Sequence, residues 1–135
     1  MAKQHPRGVL DTSVVIDLDV IDAADLPLEC AVSAITMAEL AAGPHAAANS
    51  EERARRQARL QQAEAAFDPL PFDAAASRAY GRVYAAVLSA GRKARGPRAV
   101  DLLIAATACS LDLPINTRNV DDFRGLDKLV KVVEV

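Results

Sequence analysis

Residues 8–18, GVLDTSVVIDL, change character at a single position. Gly8-Val9-Leu10 is a short apolar run that stops at Asp11, and Thr12 to Leu18 then reads as a helix that Asp11 or Thr12 is placed to cap. A strand therefore hands an acid to a helix. The same order returns downstream: Glu29 to Ser33 (ECAVS) reads as a second strand, and Ile35 to Ala42 as a helix that carries Glu39 and ends at Gly43-Pro44. Later, Ala99 to Leu111 is an almost wholly apolar helix whose only charge is Asp101, and Pro114-Ile115-Asn116-Thr117 reads as the next strand. Strands separated by helices predict a parallel α/β sheet of about four to five strands flanked by helices.

The remaining segments fill in that frame. Asp19 to Pro27 is a polar connection. Ser50 is placed to cap a polar helix over Glu51 to Phe67, where Glu51/Arg55 and Glu52/Arg56 have the spacing of i,i+4 ion pairs, so this helix is expected to be an exposed arm. After a break or short strand at Asp68 to Phe72, Asp73 caps a long helix whose Ala76, Tyr80, Val83, Val87 and Leu88 form an apolar stripe, ended by Gly91. Arg92 to Arg98 (RKARGPR) is a basic loop, Asn119 to Phe123 a turn or short helix, and Leu129 to Val135 a final strand.

With 135 residues, 51% hydrophobic and 25% charged, the chain is expected to form one globular domain over residues 1–135. A formal net charge of -2 argues against a general nucleic-acid coat, which relies on strong positive charge to displace counterions. Cys30 and Cys109 lie far apart in apolar stretches without metal-ligand spacing, and are expected to be buried, reduced thiols. Neither a signal peptide nor a membrane span is legible, so a cytoplasmic protein is expected.

Asp11, Glu39 and Asp101 offer chemistry that nothing else in the chain matches. In parallel α/β sheets, sites form beyond the carboxyl ends of the strands, where strand order reverses, and these three acids are placed to meet there. Mutual repulsion would raise their pKa values unless a cation lay between them, and oxygen ligands without His or Cys select Mg²⁺ or Mn²⁺. Local roles compete with this reading: Asp11 as an N-cap, Glu39 completing a Thr36-x-x-Glu39 capping box, and Asp101 complementing a helix dipole. Asp101 weighs against them, because a lone carboxylate opening so apolar a helix is costly to bury.

Four segments, VLDTSVVIDL (9–18), VSAITMAEL (32–40), AVDLLIAATA (99–108) and INTRNVDDF (115–123), resemble in order the signature segments of PIN-domain nucleases, specifically the VapC-type toxins of bacterial toxin-antitoxin pairs. The resemblance implies a three-layer α/β/α PIN fold and a Mg²⁺- or Mn²⁺-dependent endoribonuclease leaving 5′-phosphate and 3′-hydroxyl ends. It makes Asp11, Glu39 and Asp101 metal ligands. The family often has a fourth acid two residues after the last motif's threonine, where this chain has Asn119. Asn119 would then ligate through its carbonyl or hold a water, with Asp121 or Asp122 supplying the missing carboxylate. The hydroxyls of Thr12, Ser13 and Thr117 resemble positions that orient the acids.

Arg92, Lys93, Arg95 and Arg98, with Arg118, are the expected RNA contacts, whereas Arg53, Arg55, Arg56 and Arg59 read as a salt-bridged helix face. His5 and His45 are expected to be incidental. Without Trp, selectivity is expected to come from RNA shape, in structured targets such as tRNA or rRNA. The resemblance further implies a homodimer and a VapB-type antitoxin whose tail covers the crevice; the exposed helices at Glu51 to Phe67 and Asp73 to Leu88 are candidates for that interface, against the alternative that their apolar stripe is core. A PIN nuclease for RNA processing or DNA, and an inactive PIN scaffold, are the competing readings.

Overall fold

A computed structural model describes residues 4–135. Strand β1 (Arg7–Leu10) leads into helix α1 (Thr12–Ile16), and β2 (Glu29–Val32) into α2 (Ala34–Ala42). Three helices follow, α3 (Ser50–Ala66), α4 (Ala74–Ser89) and α5 (Arg98–Ser110), before β3 (Ile115–Thr117) and β4 (Val132–Glu134). The strands form one parallel sheet in the order β2-β1-β3-β4. Leu10 is in register with Val32 on one side and Asn116 on the other.

Successive strand residues face opposite sides of a sheet, and Val9 and Leu10 divide accordingly. Val9 joins Ile115 and the α4–α5 side chains Val83, Val87, Leu102 and Ile104 in one core. Leu10 joins Val14, Val32, Leu40 and Ala63 in a second core beneath α1, α2 and α3. Two cores on two faces give the expected three layers. Fully burying each Val, Leu or Ile side chain contributes roughly 1.5–3 kcal/mol.

Several local expectations need correction. Helix α1 stops at Ile16 rather than Leu18, which opens a 3₁₀ turn, Leu18–Val20. Asn49, not Ser50, caps α3 by accepting the Glu52 amide at 2.8 Å. Glu52 collects both Arg55 and Arg56, so no Glu51–Arg55 pair is found among the described residues. Nor is α3 a free arm: Arg56 donates to the Gly43 carbonyl, Ala63 is buried, and Leu60 and Phe67 pack on the second core. On α4, Leu88 is 52% exposed, because it lies about 100° around the helix from Val87. Strand β4 begins only at Val132, since the Leu129 and Val130 amides already donate to the Leu126 carbonyl and cannot join the ladder. Cys30 and Cys109 are free but only half-buried. No helix among the described residues is long and apolar enough to cross a membrane.

Candidate active site

The carboxyl ends of β1, β2 and β3 open into a crevice at the point where neighbours diverge, β2 to one side of β1 and β3 to the other. Asp11, the first residue after β1, occupies the N-cap position of α1 but makes no side-chain cap bond. Its carboxylate is spent elsewhere. Asp11 is 3% exposed, and its Oδ2 accepts from Thr117 Oγ1 at 2.6 Å and from Ser13 Oγ at 3.0 Å. Both hydroxyls are themselves oriented from behind: Asn119 N–H donates to Thr117 Oγ1, and Arg118 N–H to Ser13 Oγ. Each O–H is thereby free to point at Asp11, and Oδ1 is left for another partner.

Glu39 is not part of a capping box. Ser33 caps α2 by accepting the Thr36 amide, and Glu39 lies more than a turn into the helix. Thr12 Oγ1 donates to Glu39 Oε1 at 2.5 Å and stands 3.0 Å from Thr36 Oγ1. Thr12 and Glu39 line a depression of about 400 Å³ that also includes Arg56 and Arg59.

Asp101 lies in the first turn of α5, above the fully buried Ala105 and Ala108. Its pKa is raised from the ordinary aspartate value of 3.8 to about 7, first by burial and then by Asp11, Asp122 and Glu39, with Arg98 opposing. Acids from four separate segments therefore share one field. Asp122 lines a cavity of about 300 Å³ with Asp101, Lys93, Arg95, Pro97 and Arg98. Asp121 turns outward to Arg92 and Arg124. Of the candidates for the fourth acidic position, Asp122 is the one that senses Asp101, while Asn119 enters through its backbone amide.

The basic residues separate as well. Lys93, Arg95 and Arg98 line the Asp101 cavity, and Arg98 Nε is buried with no hydrogen-bond partner among the described residues. Arg92 is instead tied to the carbonyl and carboxylate of Asp121, and Arg118 to Asp17 at 3.1 Å. Two residues escaped the sequence reading. Arg59 makes no ion pair among the described residues and sits beside Glu39, against the salt-bridged role expected of it. Thr36, first read only as a helix start, is fully buried and connected to Thr12. A polar residue inside an otherwise apolar helix, one turn before Glu39, was the available signal.

The donor set is oxygen only, which suits hard divalent cations, and both the burial and the neighbouring acids that lift Asp101 disfavour a charge that a cation would offset. No group of three or more Asp, Glu, His or Cys side chains among the described residues forms a ready-made ion-holding cluster. Together these features fit an ion that keeps much of its water and is held by one or two carboxylates, as Mg²⁺ commonly is, rather than a closed cage.

Comparison with protein families matches residues 8–129 to the PIN domain. The chain is 40% identical to Ribonuclease VapC5 of Mycobacterium tuberculosis, over 98% of this chain and 96% of that protein. Its fold matches the crystal structure of VapBC-5, a member of the VapBC family of toxin-antitoxin systems from Mycobacterium tuberculosis, with a TM-score of 0.84 and 39% identity, covering 96% of this chain and 99% of that one. It also matches FitAcB from Neisseria gonorrhoeae, with a TM-score of 0.69 and 29% identity over 93% of this chain and 95% of that one.

Proposed function

This chain belongs to the PIN-domain family, and from that premise we propose that it is a VapC-type, Mg²⁺- or Mn²⁺-dependent endoribonuclease toxin of the cytoplasm, cutting structured RNA such as tRNA or rRNA. The observation that carries the chemistry is Asp101, half-buried at the strand ends in the field of Asp11, Asp122 and Glu39, its pKa raised to about 7 first by that burial and then by those acids. When bound, a divalent cation would neutralise charge on the phosphodiester and lower the pKa of an attacking water. One or two of Asp11, Glu39, Asp101 and Asp122 would hold it directly, and the others through its water. Thr117 and Ser13 fix the Asp11 carboxylate so that it need not reorganise during the reaction, and Thr12 does the same for Glu39.

Lys93, Arg95 and Arg98 hold backbone phosphates beside the acids. Arg92 and Arg118, already paired, shape the rim. The proposed antitoxin is of the VapB type, a reading supported by the toxin-antitoxin complexes among the structural relatives. Its seat is the groove of about 460 Å³ between α1 and α3, lined by Val15, Ile16, Leu18, Phe67, Arg55 and Arg59. Ile16 and Arg59 also line the Glu39 depression, so a tail laid in this groove reaches the acids. The assembly is proposed to be built on a homodimer.

Purified protein incubated with tRNA and Mg²⁺ is expected to cut it, leaving 5′-phosphate and 3′-hydroxyl ends. EDTA and Asp11→Asn should each abolish cutting. Cleavage that survives both refutes the metal-site reading, and absence of any cleavage leaves an inactive scaffold.

A further inference from the structure

We infer that Thr36 is a positioning residue for Glu39, acting through Thr12 in a one-way chain of hydroxyls that begins at Ser33. The inference rests on the reading of Glu39 as part of a cation site. Ser33 and Thr36 are both 0% exposed, so their hydroxyls must be satisfied inside the protein. Each hydroxyl has one hydrogen to give.

Counting those hydrogens fixes the direction of the chain. Thr12 spends its hydrogen on Glu39 Oε1, because an ionised carboxylate only accepts. At the 3.0 Å contact between Thr12 and Thr36, Thr36 must therefore be the donor. With Thr36 so committed, Ser33 donates to it across the longer 3.5 Å contact. The Thr36 amide in turn donates to Ser33 Oγ at 3.1 Å, which anchors the first hydroxyl at the start of α2. All three O–H groups point toward Glu39, and hydrogen bonds in series polarise one another.

A packing role alone does not account for Thr36. Thr107, a buried threonine in mid-helix, returns its hydroxyl to the carbonyl one turn back, donating to Leu103 O at 3.0 Å, whereas Thr36 lies in the first turn of α2, where the carbonyl four residues back, that of Val32, accepts the Leu70 amide at 2.9 Å. Thr36 makes no such bond among the described residues. It reaches instead across the interface from α2 to Thr12, the residue directly after Asp11. The chain therefore locks Glu39 to the segment that carries Asp11 and sets the spacing between the two carboxylates.

The test uses Thr36→Val, Thr36→Ser and Thr12→Val, with Thr107→Val as a second buried helical threonine outside the site. Mn²⁺ affinity of the RNA-free protein is read by calorimetry, alongside kcat and KM for tRNA cleavage. Thr36→Val and Thr12→Val are each expected to weaken Mn²⁺ binding by about tenfold or more, the usual effect of removing a partner behind a metal ligand. They should lower kcat while leaving the KM for RNA unchanged. Thr36→Ser should retain wild-type affinity, and Thr107→Val should lose thermal stability without loss of Mn²⁺ binding. The Thr12→Val/Thr36→Val double variant should be no worse than either single variant, since both break one chain. Additive losses, or a serine variant as defective as the valine one, overturn the inference. Should Thr36→Val fold poorly, Thr12→Val and Thr36→Ser decide the matter. Variants that match an active, Mn²⁺-binding wild type overturn the hydroxyl chain alone, whereas a wild type that neither binds Mn²⁺ nor cuts RNA overturns the functional reading with it.

Discussion

Replacing Asp101 by asparagine keeps the side chain's shape and removes its charge, so it isolates the cost of holding that charge half-buried beside three other acids. Asp101 is held at about 7 against an ordinary 3.8, by burial first and by Asp11, Asp122 and Glu39 next. At face value that gap corresponds to about 4 kcal/mol. The group still meets solvent, and screening reduces the expected effect to about 1–2 kcal/mol. Because the folded pKa is raised, the folded state prefers the protonated acid. Its stabilising contribution is complete below about pH 4 and is lost as pH rises through about 7. Asparagine imitates the protonated form at every pH. In urea unfolding with EDTA present, Asp101→Asn should therefore be about 1–2 kcal/mol more stable than wild type near pH 8, with the gap closing near pH 4. Adding Mn²⁺ near pH 8 should stabilise the wild type and narrow or reverse the order. A gap of equal size at both pH values, or one that widens toward acid, would refute the electrostatic account.

Three further outcomes are expected. Thr117→Val removes the 2.6 Å bond to Asp11 and strands the Asn119 amide, so urea melts should show a loss of about 1–3 kcal/mol and RNA cleavage should fall by roughly 10- to 100-fold. Asp122→Asn should weaken Mn²⁺ binding in calorimetry, whereas Asp121→Asn, which loses only the exposed pairs to Arg92 and Arg124, should not. Arg98→Gln should raise the KM for tRNA and flatten the dependence of log affinity on log salt by about 0.7 if the contacted strand is single.

How much the chain discloses before folding depends on the range of the interaction concerned. The passage from Gly8-Val9-Leu10 to Asp11, and from ECAVS to the Glu39 helix, is a local change of periodicity, and both are legible as strand-to-helix junctions. The burial of α5 is equally plain from its composition, because Asp101 is its lone acid. Local reading failed where a neighbour across space competed for a backbone or side-chain group. Leu129 and Val130 look like strand, yet their amides are taken by Leu126. Arg92 and Arg118 look free, yet Asp121 and Asp17 claim them. Thr36 fits a capping box by spacing, and only the approach of α1 reveals Thr12 as its partner. The fourth acid is of the same kind, since the spacing of Asn119, Asp121 and Asp122 does not say which one turns toward Asp101.

The acids that share the crevice are drawn from position 11 through position 122 of a 135-residue chain. Domains are made from the N-terminus onward, at about 5–20 residues per second. A growing chain that already displays Asp11 and Glu39 still lacks two of its four carboxylates, and the strand bearing Thr117 that steadies the first. On the proposed reading, cutting power thus arrives only after Asp122 has been made.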